Sequence, residues 1–139
     1  MESITAIADT GFIVALTNIK DIHHQNVKAV YVNQRKILLP QTVLAEVAYL
    51  LAREAGTSLV VNFLRSLMAS RFELVSLIEE DITTIANILD QYQSSRIDFV
   101  DASVMAVAER YDLTTILTID RRDFSLYRPK HCAAFTILP

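Results

Sequence analysis

The sequence predicts an α/β fold, a mainly parallel sheet with helices on both faces. Three observations predict it. Short, β-branched apolar runs alternate with longer amphipathic stretches along the chain. Only two glycines and three prolines are present, too few turn residues for a sandwich or barrel of hairpins. No linker, repeat or low-complexity segment divides the 139 residues, which suit one domain spanning residues 1–139.

The elements follow in order. Ile4–Ala8 is short and apolar, and reads as a strand. Thr10–Asn18 and His24–Gln34 read as helices. Ile37–Leu39, closed by Pro40, is a second strand. Thr42–Ala55 is a long helix ending near Gly56; Val43, Val47, Leu50 and Leu51 give it a buried stripe. Ser58–Ala69 is helical by the same spacing, through Val60, Phe63, Leu64 and Leu67. Phe72–Leu77 reads as a strand, and Glu80–Gln93 as an amphipathic helix. Asp98–Arg110 is apolar nearly all round, which predicts a central helix. Thr114–Ile119 and Ala134–Leu138 complete the set as strands.

Composition bounds the rest. An apolar fraction of 52% and a charged fraction of 21% exclude a disordered chain. The single cysteine, Cys132, cannot close an internal disulfide, and a catalytic thiol is not expected of it. Glu2 stands where a secretory signal would want basic residues, and no apolar run reaches the length of a membrane span. A cytoplasmic protein is expected. The net charge of −3 does not advertise a nucleic-acid partner.

The placement of a few acids is the informative feature. Asp9 is the only charged residue in Ser3–Ile19, and Glu46 the only one in Ile37–Ala52. Asp98 and Asp101 are the only two in Ile97–Ala108, and Asp120 follows the apolar run Leu113–Ile119. An isolated carboxylate in an apolar setting is costly unless it is protonated, paired or bound to metal. In open parallel sheets, ligands bind beyond the carboxyl ends of the strands. Asp9 and Asp120 each follow a strand, while Glu46 and Asp101 sit early in helices that begin at the same edge. The acids can therefore converge in one pocket. Carboxylate oxygens, with no cysteine or histidine among them, suit Mg²⁺ or Mn²⁺ better than zinc.

Each acid also has a structural explanation. Asp9 could cap the following helix, and Asp98 with Asp101 has the spacing of a capping box, a role favoured for Asp98. Glu46 could pair with Arg53 or Arg65, and Asp120 could be a loop acid. One shared cause accounts for all of them more simply. Other motifs are weaker. Asp9-Thr10-Gly11 spells an aspartic-protease tripeptide in a chain that is not all-β. His23 and His24 read as surface residues. No glycine-rich phosphate loop is present.

Four stretches together resemble the PIN-domain family. They are Ala8-Asp9-Thr10, Leu39 to Val47 (LPQTVLAEV), Asp98-Phe99-Val100-Asp101-Ala102, and Leu117 to Phe124 (LTIDRRDF). The likeness is greatest to VapC-like toxins of type II toxin–antitoxin pairs. It implies a three-layer α/β/α sandwich and metal-dependent cleavage of RNA phosphodiester bonds. Asp9, Glu46, Asp101 and Asp120 match the family's acidic quartet, with Asp9 and Asp101 as direct metal ligands. Glu46 and Asp120 would hold metal-bound water or a second ion. Thr10, Thr118 and Asp98 match supporting positions, and Asp123 a structural one. The resemblance also implies a homodimer and an antitoxin that covers the pocket.

Lys20, Arg53, Arg65, Arg121 and Arg122 are candidates for RNA phosphate contacts. Alternative readings are a catalytically silent RNA- or partner-binding module, a PIN nuclease that is not a toxin, and a metal-dependent phosphatase. The last lacks its usual second acid, since Thr10-Gly11 follows Asp9.

Overall fold

A computed structural model of the chain describes residues 3–139; Glu2, read above against a secretory signal, lies outside the described residues. Five parallel strands form one sheet: β1 (Ile4–Ala8), β2 (Lys36–Pro40), β3 (Phe72–Val75), β4 (Thr115–Leu117) and β5 (Thr136–Leu138). Seven helices flank it: α1 (Thr10–Thr17), α2 (His24–Tyr31), α3 (Gln41–Ala55), α4 (Thr57–Ser66), α5 (Glu79–Gln91), α6 (Phe99–Arg110) and α7 (Arg121–Leu126). This is the three-layer α/β/α arrangement that the sequence implied.

The strand order is β3-β2-β1-β4-β5. The chain builds outward from β1 to β2 and β3, then returns to place β4 and β5 on the other side of β1. The order therefore reverses between β1 and β4, where Ile7 pairs with Ile116 and Ala8 with Leu117. A crevice opens beyond strand ends at such a point. The core lies on both faces of the sheet. Phe12 and Ile13 of α1, Val43, Val47 and Leu51 of α3, and Phe124 of α7 are fully buried. Residues 102–108 of α6 are all buried, so this helix is central, as its apolar circumference required.

Several elements are shorter than their sequence patterns. β4 stops at Leu117 because the Thr118 hydroxyl accepts the Asp120 N–H at 2.9 Å, a local turn that bends the chain off the sheet. α2 stops at Tyr31, where one Arg71 amino group donates to the carbonyls of Tyr31, Val32 and Gln34 at 3.3, 2.7 and 2.7 Å. α4 tightens into a 3₁₀ turn at Leu67–Ala69. The Ser66 and Ser70 hydroxyls bond back to carbonyls three residues earlier and compete with α-helical continuation. α7 was not expected at all. It is only six residues long and buries just Asp123 and Phe124, so it leaves no periodic stripe to read. His24 is buried rather than superficial, with Nδ1 2.8 Å from the Ala15 carbonyl, and it pins α2 to α1.

The most buried acid is one that the apolar runs did not reveal. Asp81, at the start of α5, is 2% exposed. Arg110 neutralises it: Nε donates to both carboxylate oxygens at 3.0 and 3.1 Å, and Nη2 lies 3.0 Å from Oδ2. The same carboxylate accepts the Ile78 N–H at 3.0 Å. A buried charge of this kind persists because a partner and hydrogen bonds offset its desolvation.

Candidate metal centre

Asp9 follows β1 directly and keeps its backbone N–H on the Leu117 carbonyl at 2.9 Å, so it is fixed to both central strands. It occupies the N-cap position of α1, yet its side chain makes no capping bond. The capping explanation therefore fails for Asp9. Its carboxylate is 5% exposed and accepts the Thr118 hydroxyl at 3.0 Å. Since that hydroxyl also accepts the Asp120 N–H, one buried side chain ties the two strand-end acids together. Replacing Thr118 by Val should cost roughly 1–3 kcal/mol of stability, because it strips a donor from a buried carboxylate. Thr118→Ser should restore most of it in thermal denaturation.

Gly11 explains itself at this point. A Cβ there would sit 2.8 Å from Ile119 Cγ1, so the absence of a side chain lets α1 approach the segment that carries Asp120. Asp120 stands at the N-cap of α7, with the Asp123 N–H 3.4 Å from Oδ1.

Asp98 and Asp101 form a reciprocal capping box at the start of α6. The Asp101 N–H donates to Asp98 Oδ1 at 2.9 Å, and the Asp98 N–H to Asp101 Oδ2 at 3.1 Å. Asp98 is exposed and Asp101 half-buried. Glu46 and Asp120 are also half-buried, so of the acids singled out by apolar runs only Asp9 is deeply sequestered. The hydroxyls of Thr42 and Ser103, 2.6 Å apart, join α3 to α6 near Glu46 and Asp101.

The acids act on one another electrostatically. Burial pushes the Asp9 carboxyl up to about 6; the charges of Glu46 and Asp120 add to this, while the Thr10 N–H and Thr118 hydroxyl oppose it. Asp101 is pushed up to about 8, chiefly by burial, with Asp9 and Asp98 contributing. Crowded like charges shift carboxyl groups in this direction.

No cation answers them. Among the described residues, no ion pair within 4 Å includes Asp9, Glu46, Asp101 or Asp120. Arg53, a suggested partner of Glu46, instead lies 3.5 Å from Glu54 and over the Tyr49 ring. Arg121 spends one amino group on the carbonyls of Ile137 and Pro139. The contrast with Asp81 is direct: that acid has its arginine, whereas Asp9 has only a hydroxyl and an amide.

The donors fit a hard divalent cation. They are carboxylate oxygens, joined by the Thr10 hydroxyl, a buried oxygen that makes no hydrogen bond within the protein. Among the described residues, no three Asp, Glu, His or Cys side chains stand close enough together to hold a metal ion between them. Mg²⁺ keeps several waters and needs only one or two carboxylates directly, so an open arrangement suits it. A cysteine-based site finds no support. Cys132 lies 3.8 Å from His131 Nε2, but that nitrogen is 2.7 Å from the Leu113 carbonyl and must carry the proton it donates there. Burial also raises the Cys132 thiol.

Residues 6–128 match the PIN domain family model. The chain belongs to the PIN-domain family. Among curated PIN-domain relatives, ribonuclease VapC26 of Mycobacterium tuberculosis is 33% identical over 134 residues, covering 96% of this chain and 99% of that protein. The PIN fold is shared with the crystal structure of M. tuberculosis VapC20, a toxin that cleaves the sarcin–ricin loop. The TM-score is 0.79 at 21% identity, over 85% of this chain and 92% of that one. It is shared also with VapBC2 of Rickettsia felis bound to a DNA fragment from its promoter. There the TM-score is 0.70 at 17% identity, over 99% and 100% of the chains.

Proposed function

We propose that this PIN-domain protein is a Mg²⁺- or Mn²⁺-dependent endoribonuclease and the toxin of a toxin–antitoxin pair. The observation that carries the reading is Asp9: a carboxylate buried at the switch point of a parallel sheet, under the charge of Glu46 and Asp120 and, among the described residues, in no ion pair. The identity to a protein named as a ribonuclease, across nearly the full length of both chains, supports the choice of RNA.

Asp9 and Asp101 would hold the ion directly. Glu46 and Asp120 would orient water around it or assist a second ion. Bound there, a divalent cation supplies an activated water and neutralises charge developing on the phosphate. The protein's own part is positional. Thr118 fixes the Asp9 carboxylate and, through the Asp120 backbone, the start of α7. The Asp98 cap holds the first turn of α6 and with it Asp101. The test is incubation of the purified chain with total RNA in Mg²⁺ or Mn²⁺, with and without chelator. Cleavage that requires the ion is expected; none under either metal would reject the reading.

The partner proposals follow from the same reading. Solved relatives include VapBC2 of Rickettsia felis and a VapBC assembly from Salmonella typhimurium, so a cognate antitoxin is inferred here. A homodimer is inferred as well, with the exposed side chains of Tyr49, Leu64 and Met68 on and after α3 and α4 as available apolar surface. The described residues contain no helix long and apolar enough to cross a membrane, and a cytoplasmic setting fits an RNA substrate.

A further inference from the structure

A cleft of about 700 Å³ is lined by residues that neighbour Asp98 and Asp120 in the chain. Its walls come from the segment before α6 and from α7 with the residues that follow it. Arg96, Arg122 and Arg128 line it, with hydroxyls from Ser94, Ser95 and Ser125. Asp123 is the only acid in the lining, and since Arg128 donates one amino group to the Ser125 carbonyl at 2.6 Å, Arg96 and Arg122 are the guanidinium groups left for a ligand. Arg96 and Arg122 are exposed, and among the described residues neither is in an ion pair.

Both walls are continuous with the acidic site. Arg96 is two residues before Asp98, and Arg122 two residues after Asp120. Asp123 links the regions: its backbone N–H meets the Asp120 carboxylate, and its own carboxyl, raised by burial and by Asp120, is drawn back down by Arg96 and Arg122. A chain with net charge −3 has thus placed two exposed arginines, neither in an ion pair among the described residues, within two residues of Asp98 and Asp120.

We propose that this cleft binds the phosphodiester backbone of the substrate RNA on one side of the cleaved bond, with Arg96 and Arg122 each contacting a phosphate. The proposal rests on the ribonuclease reading and deepens it. Guanidinium groups suit phosphate because their planar donors meet two oxygens at once. The Ser94 and Ser125 hydroxyls add uncharged donors of the kind that fix backbone register without reading bases. Arg96 and Arg122 also resolve the mismatch between an acidic protein and a polyanionic substrate: the attraction is local to the cleft, not global. Arg53 and Arg121, expected above to serve this purpose, make their contacts with Glu54, Tyr49 and the last strand instead.

The test uses a fluorescent single-stranded RNA and fluorescence anisotropy across a salt series, in the Asp9→Asn background so that the RNA stays intact. Arg96→Ala and Arg122→Ala should each weaken binding about tenfold, and each should lower the salt dependence by about 0.7 in log–log slope, the loss of one phosphate contact. Arg35→Ala, at the opposite edge of the sheet before β2, should change neither. Unchanged affinity and slope in both cleft variants would overturn the proposal while leaving the ribonuclease reading intact. So would intact RNA binding with lost affinity for the co-expressed antitoxin, which would assign the cleft to protein. If the parent binds no RNA and the wild type cleaves none, the ribonuclease reading itself fails.

Discussion

Asp9→Asn should abolish RNA cleavage while leaving the metal-free protein more stable than the wild type at neutral pH. The two effects have one cause. Asn keeps the shape of Asp and can still accept the Thr118 hydroxyl, but it removes the charge that a cation would meet. Losing several kcal/mol of electrostatic stabilisation lowers the rate by on the order of 100-fold or more.

The stability gain follows from the raised carboxyl. Asp9 titrates near 3.8 when unfolded and at about 6 when folded, so the folded state binds more protons between those values. Its favourable contribution is complete below pH 3.8 and is lost as pH rises through 6. Two pH units correspond to roughly 3 kcal/mol at most. Asp101, raised to about 8, extends the decline upward. Thermal melts of chelated protein should therefore show stability falling from about pH 4 to pH 8. Asp9→Asn should flatten the lower part of that window. A variant that cleaves RNA at the wild-type rate would exclude Asp9 from the chemistry. One that melts well below the wild type at pH 7 would give Asp9 a purely structural role.

Arg110→Ala is expected to have the largest effect on stability. It would leave Asp81 charged, 2% exposed and without its partner, and would also free the Ser76 carbonyl that Arg110 Nη2 holds at 3.0 Å. Stranding one half of a buried ion pair costs roughly 3–5 kcal/mol, on the order of 10 °C or more in melting temperature for a chain of this size. Combining it with Asp81→Leu should recover much of the loss, because a buried pair can be replaced by apolar packing at little cost. At a temperature where Arg110→Ala is folded, the acids beyond β1 and β4 keep their positions, and RNA cleavage should stay near the wild-type rate. A melting point within a degree or two of the wild type would show that Asp81 is not a committed buried charge.

These two acids also mark how far the sequence could be read. Asp9 was legible because its isolation in an apolar run is a local fact, and because a strand end in a parallel sheet has one destination. The pairing of its edge with that of Asp120 followed from the same rule, and β1 and β4 are indeed neighbours. Asp81 was not legible. It sits in the run Glu79-Glu80-Asp81, which looks like an ordinary solvated helix start, and its burial depends on Arg110, 29 residues away. Burial of a charge is decided by its partner, and partners distant in sequence leave no local trace.

The same reasoning explains the other differences. α7 escaped notice because six residues with two buried positions carry no period. The Ser94–Arg96 wall and α7 meet only in the folded chain, so Arg122 could be singled out from the sequence but Arg96, its neighbour across the cleft, could not. Glu46, Asp101 and Asp120 are half-buried rather than enclosed, because apolar neighbours in sequence do not fix how far a side chain at an open crevice is covered.

The central claim is that Asp9, Glu46, Asp101 and Asp120 form a divalent-cation site, and calorimetric titration of Mn²⁺ into the metal-free protein near pH 7, in two buffers of different ionisation enthalpy, tests it most directly. Wild-type protein should bind Mn²⁺ and release on the order of one proton per ion, mainly from Asp101, because ligating carboxyls must be ionised. Asp9→Asn should bind far more weakly. Absence of binding to the wild type, or equal binding by wild type and Asp9→Asn, would contradict the account.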